Sequence, residues 1–317
     1  MLSLFDVEPA TYEAHPLHAD ERAYAETNCY SDILIELLHA RGDEPLAALG
    51  RAIRTDFEGD QWTFFKPDPS DLEELYGLDI HEVQPDRSLP DQIADQLAAG
   101  RTLIVELDSW YLPDTHATAY GREHVKSSAV MAGIDRGAKR LRYFHNRGLY
   151  ELEGADYDGA LRTGLAPGDD HLPPYAELVR FDDGARLRGD ELRDASRRLL
   201  AAHYRRRPET NPFGCFAAAL DADLPRLLER SHEDYHAYAF ATVRMAGSSF
   251  ELCASHLDWL FGGDARAAVD AFGSIVNGSK ALSFKLARRK PFDPQPLLAD
   301  LGGAWDEAMA ATGRLVA

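Results

Sequence analysis

"AYAETNCYSDILIELLHARG", residues 23–42, is the stretch of sequence on which the fold depends. Apolar side chains recur from Ile33 to Leu38 at the spacing of one face of an α-helix. Gly42 follows, and glycine is the residue that most often ends a helix. The stretch therefore predicts an amphipathic helix over residues 29–41 with a cysteine on its first turn.

That cysteine, Cys29, stands directly behind Asn28, a residue type that favours the N-cap of a helix. The unpaired N–H groups and the positive dipole end of a helix favour a thiolate over a thiol there. The alternative is a small buried side chain that fills a gap. Cys215 and Cys253 lie within apolar helical runs, which predicts that both pack in a core. An odd number of widely spaced cysteines indicates neither a disulfide framework nor a zinc knuckle.

The bulk composition is that of a soluble protein with one large or two modest domains, because 317 residues are 45% hydrophobic and 27% charged. No apolar run approaches the ~20 residues that a bilayer span needs. The start, "MLSLFDVEPATYEAHP", lacks the order of a signal peptide, so we expect a cytoplasmic protein. The net charge of −19 argues against nucleic acid and anionic membrane as partners, and favours a protein or a small molecule.

The first half of the chain mixes helix and strand signals, and a second helix is predicted to start at Pro45. "SDLEELYG", residues 70–77, predicts a helix with Ser70 as N-cap and a glycine stop. "LDIHEV" at 78–83 and "TLIVELD" at 102–108 predict strands, and "SLPDQIADQLAAG" at 88–100 predicts the helix between them. This is one strand, helix, strand unit.

Further strands follow. "SSAVMAGID" at 127–135 and "RLRYFHN" at 140–146 flank the short polar connection "RGAK", which predicts a β-hairpin. "LYELEG" continues the sheet, and "YAELVRF" at 175–181 predicts a last strand. From about residue 190 the periodicity is helical throughout, and "DDGARLRGD" at 182–190 is the predicted linker. Asn211 before Pro212 is a predicted N-cap with proline at the first helical position. The fold class is therefore α+β, with a helical second half.

A nucleophilic cysteine needs a base within hydrogen-bond reach and a third group that orients the base. His124 comes just before the first strand of the hairpin, and "FHN" ends the returning strand. The hairpin could bring His124 close to His145 or Asn146, and Asn146 suits the orienting role. A symmetric hairpin sets Asn146 opposite about residue 129, so a bulge or a longer turn must absorb the offset. The alternative for His124 is a solvated residue in a loop.

Several short matches occur in a fixed order along the chain: "TNC" at 27–29, "VELDSWYLP" at 105–113, "EHV" at 123–125, "GID" at 133–135 and "FHN" at 144–146. Together they resemble the pattern of the butirosin-type carrier-protein acyltransferase domain. That family consists of papain-like cysteine enzymes related in fold to bacteriocin-processing peptidases. The whole chain also resembles a family of bacterial proteins of unknown function.

The resemblance implies a papain-like catalytic domain over residues 1–185 and a helical domain over residues 186–317. It implies that Cys29 is the nucleophile, His124 the base and Asn146 the third member, with His145 as the alternative third member. The reaction implied is the transfer of an acyl or aminoacyl group from a carrier-protein thioester to an amine. The carrier would supply phosphopantetheine, the acceptor would be an amine-bearing small molecule or peptide, and no metal or tightly bound cofactor is expected.

Other residues are candidates for binding roles. The backbone N–H of Cys29 and the side chain of Asn28 are candidate oxyanion donors. Asp108, at the end of an apolar strand, would bind a substrate amine or cap the following turn. Trp110 and Tyr111 would wall an acyl or pantetheine chain, or belong to the core.

A protein of this negative charge needs a local basic face to dock an acidic carrier protein. The two densest basic segments end predicted helices, where cations also favour the negative end of the helix dipole. The candidate docking residues in these segments are Arg205, Arg206, Arg207, Arg288 and Arg289.

Three further readings stay open. The same cysteine and histidine would serve a thioesterase, peptidase or amidase, since water can replace the amine. A metal-dependent hydrolase would use Asp108, His116, His124 and His145, although no short ligand motif supports it. A non-catalytic scaffold would bind a carrier protein through the helical half and use Cys29 as a structural residue.

Overall fold

The computed structural model describes residues 1–164 and 173–317. It is an α+β protein with two compact units. Unit 1 comprises Met1–Asp20, Asn28–Pro45 and Leu72–Leu187, and unit 2 comprises Glu21–Thr27, Leu46–Asp71 and Arg188–Ala317. The chain passes between the units five times, and the last passage, after Leu187, lies close to the predicted boundary after residue 185. Two earlier segments also belong to unit 2, which a linear division of the chain does not anticipate.

The strands are β1 Leu2–Ser3, β2 Phe57–Glu58, β3 Gln61–Trp62, β4 Leu78–Val83, β5 Thr102–Asp108, β6 Lys126–Asp135, β7 Arg140–His145, β8 Gly148–Glu153 and β9 Ala176–Phe181. The α-helices are α1 Cys29–Ala40, α2 Pro69–Tyr76, α3 Leu89–Ala98, α4 Gly154–Ala160, α5 Gly189–Tyr204, α6 Pro212–Glu229, α7 His232–Ala239, α8 Met245–Phe261, α9 Arg266–Ala287 and α10 Gln295–Leu315. A 3-10 helix spans Pro45–Arg54, and a π-helical turn, Phe240–Arg244, joins α7 to α8.

Unit 1 is built on a seven-stranded sheet with the order β4-β9-β5-β6-β7-β8, and β1 pairs with β6. Neighbouring strands are antiparallel. The predicted hairpin forms from β6 and β7, and the predicted strand, helix, strand unit forms from β4, α3 and β5. The last strand, β9, does not extend an edge of the sheet. It inserts between β4 and β5, so the two strands of the strand, helix, strand motif are not neighbours.

The register divides the sheet into two faces. Residues opposite each other on paired strands share a face, and successive residues alternate between faces. Leu103, Val105 and Leu107 of β5 share one face with Met131 and Tyr143, and this face forms a core with α3 and α4. Helix α1 covers the other face, where Ser128 of β6 lies opposite Glu106 of β5. The two faces therefore carry separate sets of side chains.

Helix α1 forms as the sequence predicts. The Asn28 side chain accepts a hydrogen bond from the N–H of Ser31 at 2.9 Å, so Asn28 is the N-cap. The residues from Tyr30 to Leu38 are all buried, which fixes α1 against the sheet. Gly42 has φ +69° and ends the turn, a conformation that glycine adopts without strain.

Two predicted helix starts differ from the structure. The α2 helix begins at Pro69, and Asp68 accepts the N–H of Ser70 at 3.2 Å, so the capping role belongs to Asp68 rather than Ser70. Aspartate competes well for this role because its short carboxylate reaches the first free N–H groups. Pro45 begins a 3-10 helix rather than an α-helix.

The helical second half is confirmed. The N-terminal turn of α6 is capped by Asn211, which accepts from the N–H of Phe213 at 3.0 Å. Trp62 of β3 packs against Phe213, with ring centroids 4.9 Å apart, and against Phe216 and Phe250. These aromatic contacts tie the short β2–β3 hairpin to the helices of unit 2. Among the described residues, none of the helices has the length and hydropathy needed to cross a membrane.

Candidate functional site

Of the two cysteines predicted to pack in a core, Cys253 is buried, but the prediction for Cys215 is wrong, because Cys215 lies on the exposed side of α6. Cys29 occupies the first position of α1 and is half-buried. Its thiol lies 3.8 Å from Ser128 Oγ on β6, as donor to that hydroxyl. Ser128 is buried and belongs to the sheet face that α1 covers. The residue that contacts the predicted nucleophile is therefore a serine rather than a histidine.

The same face continues from Ser128 toward the start of β6. Glu106 pairs with Ser128 and Asp108 pairs with Lys126, so these four residues alternate along two neighbouring strands on one face. Lys126 donates to Glu106 at 2.5 Å. Cys29 and the carboxylate of Asp108 consequently border one continuous polar surface.

Asp108 orients His124, the predicted base. The Nδ1 atom of His124 lies 2.6 Å from Asp108 Oδ2, and Asp108 Oδ1 accepts from the N–H of Trp110 at 3.0 Å. The Trp110 ring stacks on His124 with centroids 4.5 Å apart and an interplanar angle of 7°. The carboxylate and the indole together fix the imidazole, and 64% of the His124 side chain is open to solvent. Among the described residues, Nε2 of His124 has no hydrogen-bond partner.

Asn146 does not take the orienting role that the sequence suggested. It has φ +46° and lies in the tight turn between His145 and Gly148, which are paired residues of β7 and β8. Asparagine tolerates this left-handed conformation, which explains its presence. A bulge is present between Met131 and Gly133, but Ala129 still pairs with His145, so the hairpin does not bring His124 to Asn146.

The candidate nucleophile, Cys29, and the candidate base, His124, contact different residues: Cys29 contacts Ser128, and His124 bonds to Asp108. Two strand positions, about 7 Å, separate Ser128 from Lys126, and His124 precedes Lys126. Neither the Cys29 thiol nor the His124 ring hydrogen-bonds to the other within the described chain. Catalytic hydrogen bonds often tighten only when substrate binds, so this spacing is compatible with a site that closes on its substrate.

A cavity of about 270 Å³ opens beside His124. The residues that line it are Glu106, Leu107, Asp108, His124, Val125, Lys126, Arg162, Pro173, Pro174 and Tyr175. Tyr175 donates to Glu177 Oε1 at 2.8 Å, and Tyr30, which follows Cys29, donates to Glu177 Oε2 at 2.7 Å. Burial and then the Glu177 carboxylate raise the pKa of Tyr30, so this phenol stays protonated. Glu177 thus links the cavity wall to the first turn of α1.

His145, the alternative third member, lies on the opposite face from Cys29. It pairs with Ala129, and its Nε2 lies 2.6 Å from Ser127 Oγ while its Nδ1 lies 2.5 Å from Asp114 Oδ2. This connectivity is that of a Ser, His, Asp triad. His145 is only 1% exposed, and none of the three lines the cavity, so the network ties the loop of Asp114 to the sheet.

The other candidate binding residues, Asn28, Trp110 and Tyr111, each have a different structural role. The Asn28 side-chain oxygen is committed to the cap of α1. Tyr111 does not line the cavity, because its ring packs so closely on α4 that a Cβ added at Gly159 would lie 2.2 Å from it. Trp110 serves as the stacking partner of His124.

The predicted docking arginines do not form one group. Arg289 donates to the carbonyls of Leu228 at 3.2 Å and of Arg230, so it caps the end of α6. Arg205 and Arg288 are exposed. Arg206 and Arg207 line a second cavity in unit 2, together with Arg51 and Arg54.

The proposed metal ligands are not brought together. Asp108 and His124 bond to each other, while His145 lies on the other face of the sheet. No group of three or more histidine, cysteine, aspartate or glutamate side chains suited to a metal ion occurs in residues 1–164 and 173–317.

Sequence reasoning missed Ser128, Glu106, Lys126 and Glu177 as members of this surface. The signal for Ser128 was the polar pair Ser127–Ser128 at the start of an otherwise apolar strand. Alternation sends one serine to each face, but which face carries α1 depends on tertiary contacts.

Fold and site define a two-unit α+β protein with a half-buried cysteine at a helix N-terminus and a His–Asp pair on the same sheet face. Residues 13–181 match the DUF1839 N-terminal domain, and residues 189–313 match the DUF1839 C-terminal domain. The chain belongs to the DUF1839 family. No curated protein matches the chain at a significant level.

Proposed function

We propose that the protein transfers an acyl or aminoacyl group from a carrier-protein thioester to an amine through an acyl-Cys29 intermediate. The proposal includes a papain-like arrangement of unit 1, in which a buried helix presents a cysteine to an antiparallel sheet. The single observation that carries it concerns one face of the sheet. Cys29 contacts this face at Ser128, and Asp108, which bonds to His124, lies on the same face.

The chemistry follows from these groups. Cys29 Sγ attacks the thioester carbonyl carbon, the bond from that carbon to the pantetheine sulfur breaks, and the proton from Cys29 passes through His124 Nε2 to the leaving thiolate. An amine then attacks the acyl-Cys29 carbonyl carbon, the bond from that carbon to Cys29 Sγ breaks, and His124 passes the proton from the amine to the Cys29 sulfur. Asp108 stabilises the imidazolium that forms in each step.

The positions of the partners support each role. Asp108 holds Nδ1 of His124, which leaves Nε2 for proton transfer. The cavity beside His124 is lined by Lys126 and Tyr175 but not by Cys29, so it would hold the part of the substrate that lies on the His124 side of the site. The backbone N–H of Cys29 is the candidate oxyanion donor, because the first N–H groups of a helix have no intrahelical partner.

The hydrolytic alternative has a specific observation in its favour. The His124 side chain is largely exposed, so water reaches the base as readily as an amine does. Transfer requires that the bound acceptor or carrier excludes this water while the acyl-enzyme persists.

The experiment that tests the proposal is a single-turnover reaction with an acyl-carrier-protein thioester, followed by mass spectrometry of the intact protein and its peptides. We expect an added acyl mass on the peptide that contains Cys29, absent in Cys29→Ala and unchanged in the control Cys215→Ala. Release as an amide on addition of an amine indicates transfer, and release as a free acid indicates hydrolysis. Acylation that persists in Cys29→Ala, or no acylation with any carrier thioester tried, would overturn the proposal.

A further inference from the structure

We propose that the second cavity, in unit 2, binds the phosphoryl group of a small phosphomonoester whose apolar part covers Phe64. This inference is independent of the acyl-transfer site, since its residues belong to unit 2 alone.

Four arginines surround this cavity of about 270 Å³ in a chain whose net charge is −19. They are Arg51 and Arg54 from the 3-10 helix and Arg206 and Arg207 from the segment after α5. The carboxylates on the cavity wall are Asp56 and Glu58, so positive charge predominates. Like charges held this close repel one another, and a bound anion removes that cost.

Two of the four guanidinium groups are already committed. Arg51 pairs with Asp68, and Arg207 stacks on Tyr204, 4.0 Å from its ring centroid, and donates to the Tyr204 carbonyl at 3.0 Å. Within residues 1–164 and 173–317, neither Arg54 nor Arg206 forms an ion pair with a carboxylate. These two remain as hydrogen-bond donors for a ligand.

Arg54 lies in the field of two other arginines, which the carboxylates of Asp68 and Asp71 oppose less strongly. Burial first, and then the positive charges of Arg51 and Arg206, lower its pKa. The guanidinium nevertheless stays charged at neutral pH, because arginine titrates far above that range. Planar guanidinium groups match the oxygens of a phosphomonoester, which is close to a dianion near pH 7.

The rim of the cavity adds an apolar contact. Phe64 lies on it and is 49% exposed, a large fraction for an aromatic ring, and the neighbouring Phe65 is buried. Thr55 and Thr63 also line the wall. A phosphate that carries an aromatic or aliphatic group would place its charge between Arg54 and Arg206 and its apolar part on Phe64.

Isothermal titration calorimetry with phenyl phosphate, inorganic phosphate and phenol tests the proposal on the full chain. We expect phenyl phosphate to bind more tightly than inorganic phosphate and phenol not to bind, with affinity falling as NaCl is raised. Arg206→Gln should weaken phenyl phosphate roughly tenfold or more, the size expected for a lost charge-assisted hydrogen bond.

Arg205→Gln is the matched control, because Arg205 is exposed and does not line the cavity. It removes the same charge and should leave the affinity within about twofold. Phe64→Ala should reduce the affinity for phenyl phosphate to that for inorganic phosphate. The proposal is wrong if neither phosphate compound binds, if the two arginine variants weaken binding equally, or if phenol competes with phenyl phosphate.

Discussion

At the scale of single residues, the sequence indicates candidate reactive groups but not the side chains that contact them. Cys29 was chosen because it starts a predicted helix, and His124 because it comes just before a predicted strand. Both are local signals. Asp108 was a candidate substrate residue, yet it bonds to His124, because β5 and β6 are paired and the two side chains lie at the same end of that pair. Cross-strand partners depend on register, and register depends on contacts that a single strand sequence does not contain.

A buried charged cluster under α1 supplies a prediction about pH. His18 bonds to Glu36 and lies 3.5 Å from Asp32, while Tyr12 donates to Glu36 at 2.5 Å and the His15 N–H donates to Glu36 at 3.1 Å. Burial alone would lower the pKa of His18, but the two carboxylates outweigh it and raise the pKa to about 9. The charged form of His18 therefore stabilises the folded protein.

Because the pKa is raised on folding, this stabilisation is fully present below about pH 6.5 and is lost as the pH rises through about 9. Urea unfolding at pH 6 and pH 9 should show a loss of more than about 1 kcal/mol that depends on His18. The His18→Gln variant should be less stable than wild type at pH 6, and its free energy of unfolding should fall less between pH 6 and pH 9. His116→Gln, an exposed control, should behave as wild type. An equal loss in the His18→Gln variant would contradict this assignment.

At the scale of elements, helix ends and alternating strands could be predicted from the sequence. Asn28 and Asn211 cap the helices that follow them, and the β6–β7 hairpin forms around its short polar connection. The central position of β9 could not be predicted, because the choice between an edge and an insertion depends on which strands are left unpaired. The 3-10 form of Pro45–Arg54 likewise has no periodic signal.

Two glycines that end helices allow a test of strand insertion. Gly77 after α2 has φ +64° and Gly100 after α3 has φ +71°. A Cβ at Gly77 would lie 2.1 Å from the carbonyl oxygen of Asp182, just after β9, whereas a Cβ at Gly100 meets no atom within 4 Å. The two positions share the backbone strain and differ in the close approach.

We therefore expect Gly100→Ala to cost about 1 kcal/mol, the strain of a left-handed alanine. Gly77→Ala should cost clearly more, about 3 kcal/mol or above, because the backbone of β9 must also move. Chemical denaturation measures both variants. Equal costs at the two positions would mean that the contact between Gly77 and the end of β9 does not constrain the sheet.

At the scale of the whole molecule, composition and periodicity were enough for an α+β chain with a helical second half. They did not indicate that Glu21–Thr27 and Leu46–Asp71 belong to the helical unit, since the signals for domain boundaries are linear in sequence. Cys29, the proposed nucleophile, is the second residue of the Asn28–Pro45 segment of unit 1. Arginines that were considered as one docking group divide into a helix cap, exposed residues and a cavity wall.

The central claim is that Cys29 is a nucleophile assisted by the Asp108–His124 pair. The most direct test is the rate of iodoacetamide alkylation at each cysteine, read by peptide mass spectrometry in wild type, His124→Gln and the control His116→Gln. We predict that Cys29 reacts faster than the exposed Cys215, that Cys253 is inert because burial raises its pKa, and that only His124→Gln slows Cys29. A Cys29 rate no higher than that of Cys215 and unchanged in His124→Gln would contradict the account.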